Sequence, residues 1–431
     1  MSRHRPPALG LLIRDTPIFF DRHPTKLLMM KHRMANHRGT GCRRSVAVTI
    51  LICTFTNLAG AQSTLRVVTY NIGADINGIT TPQFGTSDVL EAIGAENHLG
   101  IQRPLDILAL QETTSNDLTV APLITDLNSF YSGSAIYAAS PVQGLQNGSN
   151  AFGNGPNAMV YNTKTLQLID SVGVGVPLGS LNGEYRQVMR YEFQPIGGAA
   201  ANSFYVYVTH MKSSFSGDPF VNETYRDEEA QIIRADAATV ATPQMPDPSI
   251  LYVGDFNLDG SATTSNGVGS ISAYQTMTAP GPGHAVDPLN ANPQNNNLIW
   301  ANNPAFAPIL TESATNLQYR DDLQLMTQNV LVGASDAALK YVPGSLHSFG
   351  NDGSVGLGGS VTDPANTALN DLDPNFGFDP LLISLELTIA SDHLPVVADY
   401  TFVVPEPPTD FLSLLAIAAL LSRHSFRPPK S

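Results

Sequence analysis

Apolar residues along this chain fall in short runs separated by turn-forming residues. Eight of them read as strands: Leu65–Tyr70, Asp106–Leu110, Ala158–Tyr161, Val188–Phe193, Phe204–Thr209, Ile250–Val253, Leu323–Met326 and Pro395–Thr401. They are rich in Val, Ile, Tyr and Leu, as buried strands require. One stretch has helical period instead. In Arg226–Val240 the residues Ala230, Ile233, Ala237 and Val240 fall on one face. Strands mixed with helices predict an α/β domain. Ser261–Pro308, rich in Asn, Pro and Gly, and Gly344–Asn375, rich in Gly, Asp and Asn, read as loop insertions. No fixed-period repeat is visible, so one domain with long loops is expected.

The two ends differ from the body. Residues 34–61 carry a basic stretch (Arg38, Arg43, Arg44), an apolar run from Val46 to Leu58, and small residues Ala59 and Ala61 before Gln62. That is the layout of a secretory signal peptide. The apolar run is short for crossing roughly 30 Å of hydrocarbon, which argues against a membrane span. Residues 1–33 are rich in Arg and His without periodicity, and are expected to be untranslated, with Met34 as the start, or disordered. At the other end, Val404-Pro405-Glu406-Pro407, an apolar run Phe411–Leu421 and Arg423, His424, Arg427 and Lys430 resemble the PEP-CTERM sorting tail of bacterial surface proteins. The expected boundaries are 1–33, 34–61, 62–404 for the body and 405–431 for the tail. The partners this implies are export machinery and a sorting transpeptidase, and the expected location is extracellular or at the cell surface, with transient anchoring by the tail.

Composition narrows the chemistry. Of 431 residues, 23 are Lys or Arg and 37 are Asp or Glu. Residues 1–61 hold 10 of the basic and 2 of the acidic ones, so 62–431 carries 13 against 35, a net of −22. A body that acidic excludes a broad basic surface for nucleic acid, though not a local phosphate site. Both cysteines, Cys42 and Cys53, lie in the export segment, leaving no disulfide, thiolate nucleophile or cysteine metal site in the body. Zinc is disfavoured further because His210, His284, His347 and His393 show no close His-x-x-x-His spacing.

The polar residues that matter stand at the ends of strand-like runs. Asn71 follows LRVVTY, Gln111 and Glu112 follow DILAL, and His210 follows FYVYVT. Asp255 and Asn257 follow ILYVG, Asp322 adjoins LQLM, and Ser391-Asp392-His393 precede PVVADY. Carboxylates, amides and imidazoles at strand ends can meet in one cleft, where α/β sheets usually bind ligands. That set suits metal-assisted attack on a phosphoryl group. Each residue taken singly also has a plain reading: Glu112 as a solvated turn carboxylate, Asp255 and Asn257 as turn formers, His393 as a structural histidine.

Six segments together, TYNI at 69–72, LQE at 110–112, THMKS at 209–213, GDFN at 254–257, RDD at 320–322 and SDHLPV at 391–396, resemble the endonuclease/exonuclease/phosphatase superfamily, in that family's order and over about residues 64–402. The resemblance implies a four-layer α/β/β/α sandwich, two mixed β-sheets packed face to face with helices outside. It implies a metal-dependent phosphoesterase, with Mg²⁺ (Mn²⁺ as a substitute) on Asn71 and Glu112, assisted by Asp392. Asp255 is expected to orient or deprotonate the attacking water, and Asn257 to donate a hydrogen bond to phosphate. His393 is expected to stabilise the transition state or move a proton, and His210 to bond phosphate or protonate the leaving oxygen. Asp322 either pairs with His210, holding its tautomer, or forms a structural ion pair with Arg320. RDD departs from the family's usual Arg-Ile-Asp-Tyr at Asp321. Arg190 and Lys212 are the nearest candidates to neutralise phosphate, with ordinary surface roles as the alternative. The 344–375 loop, with His347, Asp352, Asp363, Asp371 and Asp373, is a candidate gate or calcium holder. Expected substrates are phosphodiesters, nucleic acid first, with phospholipids or small organophosphates as the alternative. A non-catalytic surface- or matrix-binding module on the same scaffold is the reading from another class.

Overall fold

A computed structural model describes residues 63–402 apart from 75–78, 142–154, 176–186, 198–202, 214–217, 242–246, 259–271, 290–299, 301–302 and 335–336. The expected signal segment, the extension before it and the sorting tail lie outside the described residues.

Two sheets carry the fold. The first has strand order β10-β12-β1-β2-β4-β3 with β11 also pairing β12, and the second has order β5-β6-β7-β8-β9. Their strands are β1 (Ser63–Asn71), β2 (Ile107–Gln111), β3 (Tyr137–Ala139), β4 (Ala158–Asn162), β5 (Leu166–Val174), β6 (Val188–Pro195), β7 (Phe204–His210), β8 (Ile250–Asp255), β9 (Asp322–Met326), β10 (Lys340–Tyr341), β11 (His347–Ser348) and β12 (Val396–Phe402). Both sheets are mixed. Each has one parallel pair, β1 with β2 and β7 with β8, flanked by antiparallel neighbours.

Alternation along each strand builds the layers. Leu65, Val67, Ile107, Ala109, Ala398 and Tyr400 of the first sheet share one buried cluster with Tyr191, Val206, Val208, Leu251, Val253 and Met326 of the second. The intervening positions point outward. Val68, Tyr70, Leu108 and Leu110 pack under α1 (Thr86–Ala95), α2 (Ala121–Tyr131) and a later helix, Pro380–Ala390. Tyr207, Ile250, Tyr252, Leu323 and Leu325 pack under α3 (Pro219–Val240) and α4 (Ser272–Thr278). After a short α5 (Gln328–Val332), Pro380–Ala390 is α6. The result is the expected α/β/β/α sandwich. The predicted helical face of Ala230, Ile233, Ala237 and Val240 lies on α3 and is buried. Among the described residues no helix is long and apolar enough to cross a membrane.

Two expectations need correcting. Ser261–Pro308 is not simply a loop. It contributes α4, and Trp300, whose indole Nε1 donates to the Leu258 carbonyl at 3.2 Å, is buried against Tyr274 and Arg320. The Gly344–Asn375 stretch supplies β11 to the first sheet and is pinned to an earlier segment, with Asn351 Nδ2 donating to the carbonyls of Ala307 and Leu310.

Candidate active site

Strand register explains the cleft. β1 and β2 end together, with Asn71 opposite Gln111. β7 and β8 also end together, with His210 opposite Asp255, and β9 starts at the same level with Asp322 opposite Asp255. Counting back by twos, Asn71 continues the inward face of Leu65 and Val67. His210 continues that of Phe204, Val206 and Val208, and Asp255 that of Leu251 and Val253. The side chains filling the space between the sheets therefore turn polar at one edge.

Asp255 is the centre of the group. Its Oδ2 accepts from Asn71 Nδ2 at 2.9 Å and lies 3.3 Å from His210 Nε2 and 3.8 Å from His393 Nε2. Its Oδ1 accepts from the Asn257 backbone N–H at 2.8 Å. Burial pushes the Asp255 carboxyl up to about 7; the positive charge of His393 pulls against that shift and the negative charge of Asp322 adds to it. His393 Nδ1 meets Asp322 Oδ2 at 2.7 Å. Burial opposes a charge on this imidazole, but Asp322 and Asp255 outweigh it and hold its pKa well above the ordinary value. The two aspartates on either side of His393 therefore favour its charged form.

Asp322 pairs with His393 and not, as expected, with His210. The alternative pairing with Arg320 is absent too, because Arg320 is forked onto Asp287 at 2.6 and 3.1 Å. Register decides this: Asp322 opens β9 beside Asp255, and Ser391 brings His393 over them. Ser391 Oγ donates to the Asn71 carbonyl at 2.7 Å and accepts from the His393 N–H at 3.1 Å.

Two non-glycine residues at this edge have left-handed backbone, Glu112 at φ 54° and Asn257 at φ 49°. The turn at Glu112 breaks the alternation and sets its Oε1 3.7 Å from His210 Nε2. Asn257 Nδ2 donates to the Met211 carbonyl at 3.1 Å, fixing the loop after β8 to the end of β7. Such conformations cost of order 1–3 kcal/mol and gather at functional sites.

Of the two proposed phosphate cations, Arg190 faces away from the cleft. Arg190 lies on the outward face of β6 and is bound to Asp236 of α3 at 2.5 and 2.9 Å, beneath the helix layer. Its neighbours Met189 and Tyr191 are the residues that point between the sheets. Lys212 follows β7, with its carbonyl accepting from Arg226 Nη1 at 2.7 Å.

Sequence reasoning missed Glu312. Its backbone bridges to His393, and its carboxylate forms one group with exposed Asp392 and with His393 that could hold a cation. Asp255, Asp322 and His393 form another such group. Burial, then the hydrogen bond and charge of Glu312, keep the Asp321 carboxyl protonated far above its usual range. Burial would raise Glu312, but the bond from Asp321 and the charge of His393 hold it below its ordinary value. The unusual Asp321 was the one signal in the sequence that could have led there.

The sequence profile of the endonuclease/exonuclease/phosphatase family matches residues 68–393, spanning every strand-end residue above. The chain belongs to this family. Solved structures with a similar chain path include the catalytic domain of human Nocturnin with bound sulfate. It is 16% identical, with 80% of this chain and 96% of that chain covered and a TM-score of 0.44. An endonuclease/exonuclease/phosphatase from Bacteroides vulgatus is 15% identical, covering 79% and 99%, with a TM-score of 0.42. A mannosyl-6-phosphatase of Bacteroides thetaiotaomicron is 12% identical, covering 78% and 100%, also at 0.42. No curated protein matches this chain. Membership of the endonuclease/exonuclease/phosphatase family makes hydrolysis of phosphate esters the chemistry against which the cleft is to be judged.

Proposed function

We propose that this protein is an exported, Mg²⁺-dependent phosphodiesterase of nuclease type that hydrolyses its substrate with an activated water. The observation that carries the reading is the buried Asp255 carboxyl, placed between His210 and His393 and tied to Asn71. A carboxyl pushed up to about 7 is a base matched to neutral pH. Asp255 takes a proton from the attacking water. The His393 imidazolium, held by Asp322, faces the phosphoryl oxygens as charge develops on them. Asn257 has two amide N–H groups, one engaged by the Met211 carbonyl and the other assigned to phosphate. His210 is assigned to the leaving oxygen.

The donor set fits a hard divalent cation. Asn71, Glu112 and Asp392 offer amide and carboxylate oxygens, which Mg²⁺ prefers while keeping several waters, and Asp322 Oδ1 is buried without a hydrogen-bond partner. When bound, the ion would neutralise phosphate charge. Export rests on the sequence of 34–61 and surface sorting on 405–431; an N-terminus at Gln62 in protein recovered outside the cell is the expected sign of cleavage.

With a net of −22 over 62–431, tight non-specific duplex binding is disfavoured. A second reading, a phospholipid phosphoesterase, has one observation in its favour. Helix α6, which leads directly into Ser391-Asp392-His393, exposes Leu381, Leu382, Leu385 and Ile389 at 67, 50, 48 and 41%. An apolar stripe beside a phosphate site suits a lipid surface.

The test is turnover of bis-p-nitrophenyl phosphate by the purified protein with Mg²⁺ or with EDTA. Asp255→Asn and His393→Ala are each expected to lower Mg²⁺-dependent turnover by about 10²–10⁴-fold while the fold persists. Wild-type protein that is folded and inert with several divalent metals on diesters and monoesters would overturn the reading. DNA, RNA and phospholipid vesicles then divide the nuclease from the lipid alternative.

A further inference from the structure

A second group of ligating side chains lies away from the cleft, on the helix side of the first sheet. Glu96 caps the C-terminal end of α1, and His98 follows it. His347, on β11, is 249 positions further on from His98 and pairs with Val397, which faces the α1–α6 layer. One ligand atom each from Glu96, His98 and His347 lie within 4.8 Å of one another. The imidazoles stack with centroids 4.2 Å apart, and Asp371 Oδ2 lies 3.8 Å from His98 Nδ1. All four residues line a cavity of about 570 Å³.

The outer hydrogen bonds are what separate this group from a chance cluster. His347 Nδ1 meets the Ser345 carbonyl at 2.8 Å, and His98 Nε2 meets the Gly344 carbonyl at 3.3 Å. A carbonyl only accepts, so those nitrogens carry the protons. That leaves His347 Nε2 and His98 Nδ1 directed at Glu96 and Asp371. A histidine whose far nitrogen donates to a backbone carbonyl is oriented as metal-ligating histidines are. Glu96 is 2% exposed; its Oε1 meets His347 Nε2 at 2.9 Å, while its Oε2 is buried and accepts no hydrogen bond. The nearest cation to Oε2, Arg66 Nη1 at 3.8 Å, is already neutralised by a two-point contact with Asp399, 3.0 Å on each side.

We propose that Glu96, His98 and His347, with Asp371 beside them, bind a borderline transition-metal cation, Zn²⁺ first, which clamps the 344–375 loop to the end of α1. Mixed imidazole and carboxylate ligation suits Zn²⁺ and not the all-oxygen preference of Mg²⁺ or Ca²⁺. Binding replaces the proton on His347 Nε2, which leaves to solvent, while the Nδ1–H bond to Ser345 is kept. The site is structural and separate from the catalytic group. Spacing in the sequence hid it because its histidines come from distant segments.

Zn²⁺ titrated into the EDTA-stripped full chain, in competition with a chromophoric chelator, reads the stoichiometry. Wild-type protein is expected to take up one equivalent more than His98→Ala or His347→Gln, whose affinity at this site falls by roughly 100-fold or more. Added Zn²⁺ should raise the melting temperature of the wild type by more than that of either variant, and both variants should keep wild-type Mg²⁺-dependent turnover. His98 is a partly exposed ring, so its truncation leaves a folded chain, checked by circular dichroism. Equal Zn²⁺ uptake by wild type and both folded variants would overturn the proposal, and so would a wild type that takes up none.

Discussion

At the scale of single residues, position relative to the strand pleat decides role more than residue type does. Arg190 and His393 both sit beside aspartates, yet one points under α3 and the other into the cleft. Arg190→Ala is therefore expected to leave Mg²⁺-dependent turnover unchanged while costing about 1 kcal/mol of stability through loss of the Asp236 pair. Asp322→Asn should do the reverse. It removes the largest attraction holding the charge on His393, so turnover should drop about 10²–10⁴-fold with little change in melting. Parallel kinetics and thermal melts of the two variants check this, and an active Asp322→Asn enzyme would break the assignment. Gly254 belongs to the same scale. At φ 138° it lets β7 and β8 approach so closely that an added Cβ would lie 2.0 Å from the Thr209 carbonyl oxygen. Glycine in GDFN is thus demanded by the backbone on which Asp255 stands.

At the scale of elements, α1 and α6 meet through acids. Gly85, at φ 87°, passes so near Glu386 that an added Cβ would lie 2.8 Å from the Glu386 Cβ. Burial, then the charge of and a bond with Asp88, pushes Glu386 up to about 7. Burial, then Asp88 and Asp126, does the same for Glu91. These carboxyls keep protons that the unfolded chain has released, so their contribution is present at low pH and lost as pH rises through about 7. The melting temperature should decline between about pH 5 and 8, and Glu386→Gln should make that decline shallower; melts across pH with an unchanged slope would refute it. The same helices show where the sequence was hard to read. The strand runs that build the core were legible because burial on both faces leaves an unbroken apolar signature. In α6, Ile383 and Leu387 are buried together with Ser384 and Glu386, while Leu381, Leu382, Leu385 and Ile389 are exposed, so its apolar positions do not mark the side that faces the core. β5 is an edge strand with an irregular register at Leu168/Asp170 and exposed polar positions, which conceals it. The site residues were legible as strand-end polar groups. Their partners were not, because whether Asp322 meets His393 or His210 depends on register and on which sheet each strand joins.

At the scale of the molecule, the catalytic group exists only while the two sheets are packed. Asn71, Glu112, Asp392 and His393 come from the first sheet and its flanks; His210, Asp255, Asn257 and Asp322 come from the second. Polar ties inside the interface hold the sheets in place. Gln324 of β9 donates through Nε2 to the carbonyls of Val67 and Val396 across the gap, at 3.0 and 2.7 Å, and accepts from the Tyr400 hydroxyl at 3.2 Å. Asn157 adds a second tie, donating to Val208 at 3.3 Å. Gln324 stands two residues from Asp322 on the same inward face, so the tie that locks the sheets also sets the depth of the Asp322–His393 pair. Gln324→Ala would orphan three buried groups on two strands, β1 and β12, and leave a void, for an expected loss of about 2–4 kcal/mol. Because the site straddles the interface, activity and the circular dichroism signal should disappear together on heating, in this variant at a lower temperature than in the wild type. Activity lost well before the secondary structure would mean that the sheets part without unfolding, against a single cooperative sandwich. A wild-type melting temperature in the variant would show that Gln324 is not a tie.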